Sequence, residues 1–257
     1  MSAEPTPAKP QHHQPQSQSQ QHQPQPQPKP KLLILISGNG SNLQAIIDNV
    51  RSGYLNANII GVISNNANAY GLHRASTAGI KNFTLNASPK VSREAYDQQL
   101  LSLLETHQLD PDWIVLAGFM RVLSASFVNR FHDRIINIHP SLLPKYKGLN
   151  THQRVLENGD QHHGCTVHRV TAELDDGPML SQAKLEVQSN QTEDSLIARV
   201  HQLEHLLFSL TLASLFQHKT YDSDQNLWRA LEPNQDFQLP VLDEAQLTQA
   251  VTAWKNQ

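Results

Sequence analysis

The chain has 257 residues, a formal net charge of −3 at pH 7 and one cysteine, Cys165. A lone thiol excludes an internal disulfide framework and fits a reducing compartment, so a cytoplasmic location is expected. The charge is near balance with no long basic run, and no apolar run reaches the length of a membrane span, which argues against a nucleic-acid partner and a membrane partner.

Residues 1–30 differ from the rest. They contain runs such as Gln23-Pro24-Gln25-Pro26-Gln27-Pro28 and no Leu, Ile, Val, Phe, Trp or Tyr. Such a segment buries too little apolar area to offset its chain entropy, and it is expected to be a disordered leader with polyproline character. It lacks both an apolar signal region and arginine, so it reads as neither a signal nor a transit peptide. His12, His13 and His22 are taken as part of a solvated tail.

From Lys31 the pattern changes. Lys31-Leu32-Leu33-Ile34-Leu35-Ile36-Ser37 is a nearly continuous apolar run, which predicts a strand buried on both faces of a parallel sheet. Gly38-Asn39-Gly40-Ser41-Asn42 follows as a tight turn, then Leu43, Ile46, Ile47 and Val50 at helical spacing. Residues 58–64 predict a second strand, 67–78 a helix and 81–85 a third strand. Ser92 can cap the next helix, whose face carries Tyr96, Leu100, Leu103, Leu104 and His107 before Asp110-Pro111 ends it. Residues 112–117 form a fourth strand, 118–123 a connector, 126–130 a short helix and 134–139 a fifth strand. Strands alternating with helices predict an α/β domain with an open, mostly parallel twisted sheet and helices on both faces.

After Pro144 a helix near 151–158 leads to two strands, 164–170 and 178–187, joined by a turn at Leu174-Asp175-Asp176-Gly177. That is a hairpin, so the C-terminal end of the sheet is expected to be antiparallel. Thr192 opens a long helix with Glu193 and Asp194 in its first turn and an apolar stripe of Leu196, Val200, Leu203, Leu207 and Leu210. Residues 219–257 read as a peripheral extension with one short hairpin.

Three places carry chemistry. The turn Gly38–Asn42 lets backbone approach a ligand closely, and a helix start leaves free N–H groups, with Ser41 and Asn42 adding side-chain donors. Phosphate is the natural occupant. The turn is not a P-loop, because no Gly-Lys-Ser/Thr follows, and Leu43 stands where a dinucleotide fingerprint needs its third glycine. Second, Asn137 and His139 lie two apart on a strand, hence on one face, with Pro140 and Pro144 stiffening the exit. One can donate to a developing oxyanion and the other can exchange a proton. Third, Asp175 sits in the hairpin turn, where an aspartate ordinarily caps its own backbone, and it gains a role only if the fold brings it beside His139. His139, His162, His163, His168 and Asp175 match no standard zinc spacing, so no metal is expected.

Four segments together resemble the folate-dependent phosphoribosylglycinamide formyltransferases: residues 36–44, 116–121, 137–144, and Leu174-Asp175 before Gly177-Pro178. The resemblance covers Leu32 to about Leu215. It implies the formyltransferase fold over residues 31–218, with an N-terminal half that binds phosphate and a C-terminal half that binds folate. It implies formyl transfer from the co-substrate 10-formyltetrahydrofolate to the amine of N1-(5-phosphoribosyl)glycinamide, through a tetrahedral intermediate, in purine synthesis. By the same resemblance Gly40, Ser41, Asn42 and Glu204 hold the ribonucleotide. Arg93, Met120, Arg121, Val122, Leu123 and Asn137 line the folate pocket, and Asn137, His139 and Asp175 form the catalytic set. The partners are then two small molecules, and the chain is a monomer or weak homodimer. The chemistry of those residues agrees: Asn137 and a protonated His139 would stabilise the oxyanion, and Asp175 would keep His139 charged and help pass the proton from the attacking amine to the leaving folate nitrogen through water, with no metal or covalent intermediate needed.

Two positions depart from the family pattern. Asp176 stands where a small residue is common and adds charge next to Asp175, which it would repel where the two carboxyls approach closely, and Lys147 replaces a frequent proline, which predicts a looser loop. Rival readings are 10-formyltetrahydrofolate hydrolase, methionyl-tRNA formyltransferase, and a non-catalytic nucleotide-phosphate module. The first would carry a folded N-terminal regulatory domain and the second a basic C-terminal domain. The third would keep the glycine turn without needing Asn137, His139 and Asp175 together.

Overall fold

The computed structural model describes residues 28–88, 90–231 and 236–256. All but the last three residues of the expected leader, 1–30, lie outside the described residues.

The first half alternates as expected: β1 (Lys31–Ile36), α1 (Ser41–Arg51), β2 (Asn58–Ser64), α2 (Tyr70–Thr77), β3 (Asn82–Thr84), α3 (Arg93–Thr106), β4 (Trp113–Leu116), α4 (Ala125–Arg130) and β5 (Ile135–His139). The second half comprises α5 (Thr151–Glu157), β6 (His162–Arg169), β7 (Met179–Glu186), α6 (Glu193–Phe216), β8 (Lys219–Asp222), β9 (Leu227–Ala230), β10 (Val241–Asp243) and α7 (Glu244–Lys255). Eight strands make one sheet in the order β10-β7-β6-β5-β4-β1-β2-β3. Neighbours from β3 to β5 run parallel, and β5–β6 and β6–β7 are antiparallel. The chain moves outward from β1 to β3, then returns to the other side of β1 at β4. That reversal opens a crevice beyond the carboxyl ends of β1 and β4, where ligands bind in open α/β sheets.

The continuous apolar run of β1 is explained by two covered faces. Leu32, Ile34 and Ile36 pack with Leu43, Ile46 and Ile47 of α1 and Leu196, Val200, Leu203 and Leu207 of α6. Leu33 and Leu35 face the opposite way, onto Tyr96, Leu100 and Leu104 of α3 and Phe127 of α4. Side chains alternate across a strand, so one sequence feeds both cores, and each fully buried Leu or Ile contributes about 1.5–3 kcal/mol.

Two helices differ from their sequence reading. His107 does not lie on the buried face of α3; it is the exposed C-cap residue and packs at a tilt against Phe83, with ring centroids 4.3 Å apart. In α6 burial spreads from a stripe to every residue from Leu207 to Leu215, because sheet, α1 and α7 enclose its C-terminal half. Its buried hydroxyls are satisfied: Thr211 Oγ1 donates to the Leu207 carbonyl at 2.6 Å, and Ser209 Oγ accepts from Asn49 Nδ2 at 2.9 Å. Beyond α6, β8 and β9 form the expected hairpin. The chain then goes further: β10 pairs parallel with β7, and α7 opens with a capping box between Asp243 and Gln246 and buries Leu247, Ala250 and Trp254. Among the described residues no helix is long and apolar enough to cross a membrane.

Candidate active site

Strand β5 delivers Asn137 and His139 to one face, and the antiparallel register sets His168 opposite Asn137 and Thr166 opposite His139. The exit from β5 is held by this neighbour. Thr166 Oγ1 donates to the Ser141 carbonyl at 2.7 Å and accepts from the Leu143 amide at 3.1 Å, and the Ser141 amide donates to the His139 carbonyl at 2.8 Å. The proline-braced segment is therefore also pinned through hydrogen bonds to β6.

Asp175, with φ of +47°, comes from the β6–β7 connection and lies beside His139: its Oδ2 is 3.4 Å from His139 Nδ1. The same oxygen accepts from the Gly148 amide at 2.9 Å, and Oδ1 lies 3.7 Å from His168 Nε2. His139 is 5% exposed. Its Nε2 lies 2.9 Å from the Tyr146 carbonyl, which only accepts, so that nitrogen carries a hydrogen. The proton on the Asp175 side, at Nδ1, is the one left for chemistry.

His168 is a functional candidate that the sequence presented only as a possible metal ligand. Burial holds its pKa below the ordinary range, although the Arg169 carbonyl and Asp175 pull it upward. As a neutral ring it donates from Nδ1 to the Arg169 carbonyl at 2.9 Å. Its Nε2 lone pair then accepts from Asn137 Nδ2 at 3.1 Å. This fixes which way the Asn137 amide points. The pairing of residue 137 with 168 comes from the β5–β6 register, and the only clue in the sequence was the expected antiparallel end of the sheet. The backbone contacts of Tyr146 and Gly148 had no such clue.

At the other end of the crevice, Gly40 is the N-cap of α1 with φ of +75° and no side-chain cap, leaving the first-turn amides of Ser41 and Asn42 facing outward. A Cβ on Gly40 would stand 2.7 Å from Gly71 Cα, so the turn is closed by backbone-to-backbone packing. Arg74 braces it through Asn39, donating to its carbonyl at 2.9 Å and its Oδ1 at 3.1 Å. Asn42 Nδ2 donates to Glu204 Oε2 at 2.9 Å, while Asn42 Oδ1 is buried without a partner. Burial pushes Glu204 up to about 7, against the pull of the Asn42 bond.

The 118–123 connector is tied to this turn, since the Met120 amide donates to Ser37 Oγ at 2.7 Å. Met120 is exposed, Val122 half-buried and Leu123 buried in the α3–α4 core. Arg121 donates to the Val91 and Ser92 carbonyls at 3.1 and 3.0 Å and lies 4.3 Å over the Tyr96 ring; Arg93 is exposed at the start of α3.

The two departures meet each other: Asp176 Oδ1 lies 2.5 Å from Lys147 Nζ, and the loop around Lys147, expected to be looser, is held by Arg154 donating to the Lys147 carbonyl at 2.8 Å. Cys165 is fully buried and its thiol is pushed well up by burial. His163 pairs with His152 at 3.0 Å, and burial holds them at about 3 and about 4. Among the described residues no group of three or more His, Cys, Asp or Glu is placed to hold a metal ion.

Residues 30–212 match the family model described as formyl transferase. The phosphoribosylglycinamide formyltransferase of Escherichia coli is 52% identical over 180 residues, spanning 69% of this chain and 82% of that protein. The trifunctional purine biosynthetic protein adenosine-3 of Drosophila melanogaster is 45% identical over 181 residues, spanning 70% of this chain and 13% of that longer protein. Among solved structures, glycinamide ribonucleotide transformylase 1 from Symbiobacterium toebii aligns with a TM-score of 0.71 at 36% identity, covering 79% of this chain and 95% of that one.

Proposed function

Because the chain belongs to the formyl transferase family, and within it to the phosphoribosylglycinamide formyltransferases, we propose that it moves a formyl group from 10-formyltetrahydrofolate to the amine of N1-(5-phosphoribosyl)glycinamide, a step of purine biosynthesis. The observation that carries this reading is the approach of Asp175 to His139 at 3.4 Å, beside an Asn137 amide aimed by His168.

In this reading the α1 turn, Gly40, Ser41 and Asn42, takes the phosphate, and Glu204 accepts from ribose hydroxyls. Folate lies along Met120, Arg121, Val122 and Leu123, with Arg93 at the rim. The second Asn137 N–H and the His139 Nδ1–H donate to the formyl oxygen as charge grows on it, and preorganised donors of this kind are worth about 3–4 kcal/mol each. Asp175 stabilises the imidazolium and relays the proton lost by the attacking amine, through water, to the folate nitrogen, which departs as its bond to the formyl carbon breaks. At 3.4 Å the contact between Asp175 and His139 is a charge contact that leaves the Nδ1–H free for the formyl oxygen. Neither Cys165 nor a metal has a task here.

Residues 31–218 are the formyltransferase unit in this proposal. Its N-terminal half holds phosphate and, through Arg93 and residues 120–123, one wall of the folate pocket; the C-terminal half supplies Asn137, His139 and Asp175, and Glu204 reaches back to the ribonucleotide. Residues 219–257 are an extension beyond the family match, which ends at residue 212. The enzyme works in the cytoplasm as a monomer or weak homodimer on two small molecules, without nucleic-acid or membrane partners.

The deciding assay mixes purified protein with 10-formyltetrahydrofolate, with and without the ribonucleotide, and follows folate absorbance. Deformylation only with the ribonucleotide is expected. Deformylation without it would instead favour a hydrolase, and none under either condition a non-catalytic phosphate-binding module.

A further inference from the structure

The segment 146–148 touches both members of the catalytic couple through its backbone alone. The Tyr146 carbonyl accepts from His139 Nε2, and the Gly148 amide donates to Asp175 Oδ2. The spacing of imidazole and carboxylate is thus set by three consecutive residues. Their conformation is unfavourable in isolation: Tyr146 has φ of +56°, and Asp175 on the facing loop has φ of +47°. A non-glycine residue persists in the left-handed region only where its surroundings over-determine it.

The near end of the segment has such surroundings. Tyr146 Oη donates to Asp160 Oδ2 at 2.7 Å and accepts from Asn158 Nδ2 at 3.0 Å, and the Arg154 guanidinium lies 4.9 Å over its ring. At the far end, facing the 170–178 loop, the side-chain tie is Lys147 to Asp176 at 2.5 Å. The two loops therefore meet at adjacent rungs: 147 with 176 through charge, and 148 with 175 through an amide. We propose that the Lys147–Asp176 pair is a latch across the site, and that Lys147 and Asp176 are positioning residues that hold Asp175 in register with His139. The proposal rests on the formyl transfer assigned above.

Both partners are partly exposed, with side chains 36% and 56% accessible, so the fold does not depend on them and the expected effect is moderate. The test compares the full chain with Lys147→Met, Asp176→Asn, the double variant, and the swap Lys147→Asp with Asp176→Lys. Each single change is expected to lower kcat about two- to fivefold with the ribonucleotide KM unchanged, the range an exposed ion pair supports. The double variant should be no slower than either single, and the swap should recover part of the loss. A second readout does not need turnover: NMR titration of the His139 ring. Removing the Lys147 charge acts directly to move that titration to higher pH, whereas withdrawal of Asp175 moves it to lower pH. Lys147→Met is expected to move it lower. Single variants with unaltered kcat, losses that multiply in the double, or a titration moved upward or unmoved would each overturn the latch. Absence of any formyl transfer by the native chain would overturn the reaction assigned above, and the titration would still decide the latch.

Discussion

Glu204→Gln isolates the buried carboxyl that the site retains at a cost. Glu204 is 4% exposed, and burial raises it from the ordinary 4.5 to about 7. The folded state therefore binds a proton that the unfolded chain releases earlier. Glu204 contributes most to stability below about 4.5, and that contribution is lost as pH rises through about 7. The full loss amounts to about 3 kcal/mol, of which about 1 kcal/mol is already lost near pH ~5.5. A glutamine has the same shape, keeps an acceptor for Asn42 Nδ2 and carries no charge to desolvate. Denaturant unfolding should find Glu204→Gln more stable than the native chain by about 3 kcal/mol near pH ~8.5 and by about 1 kcal/mol near pH ~5.5. The ribonucleotide KM should rise about fivefold above neutrality, because hydroxyl bonds to a carboxylate are stronger than those to an amide. Equal stability at the alkaline pH would refute the reasoning, since it would mean that the carboxylate is not penalised by its burial.

His168→Leu should lower kcat about tenfold or more with substrate KM values nearly unchanged, because it removes the acceptor that aims Asn137; His168→Gln should recover part of the rate. Steady-state kinetics that show the loss mainly in KM would count against that role. Asp175→Asn preserves an acceptor for the Gly148 amide but removes the charge facing His139, and kcat should fall by about 10²–10⁴ with an altered pH–rate profile. An unaltered profile would exclude the proton role. Gly40→Ala drives a Cβ to 2.7 Å from Gly71 Cα at φ of +75°, so it should destabilise the fold by about 1–3 kcal/mol and raise the ribonucleotide KM more than the folate KM. Thermal unfolding at the native temperature would contradict the close packing of that turn.

The pairing of Lys147 with Asp176 shows how a local reading can mislead. Each residue taken alone is a disturbance, one a lost proline and the other an extra charge beside the Asp175 carboxylate. Across the site they neutralise each other, and nothing in either neighbourhood of the sequence indicates it.

Much of the scaffold is legible in the chain because local periodicity is dictated by backbone geometry. The unbroken apolar run at Leu32–Ile36 already requires a strand covered on both faces, and a two-residue spacing already sends Asn137 and His139 to one side. The glycine turn and the acidic first turn of α6 are equally local. What the tertiary structure alone decided are meetings between distant segments: Asp175 with His139, His168 with Asn137, and Glu204 with Asn42, the last pair 162 residues apart. Those depend on strand order, hairpin register and the enclosure of α6, which arise from many weak contacts summed over the whole molecule. No window of sequence contains that sum, so the residue types were visible locally, the family resemblance alone grouped Asp175 with His139 and Glu204 with Asn42, and the contacts themselves, with the burial that shifts their proton affinities, were not legible.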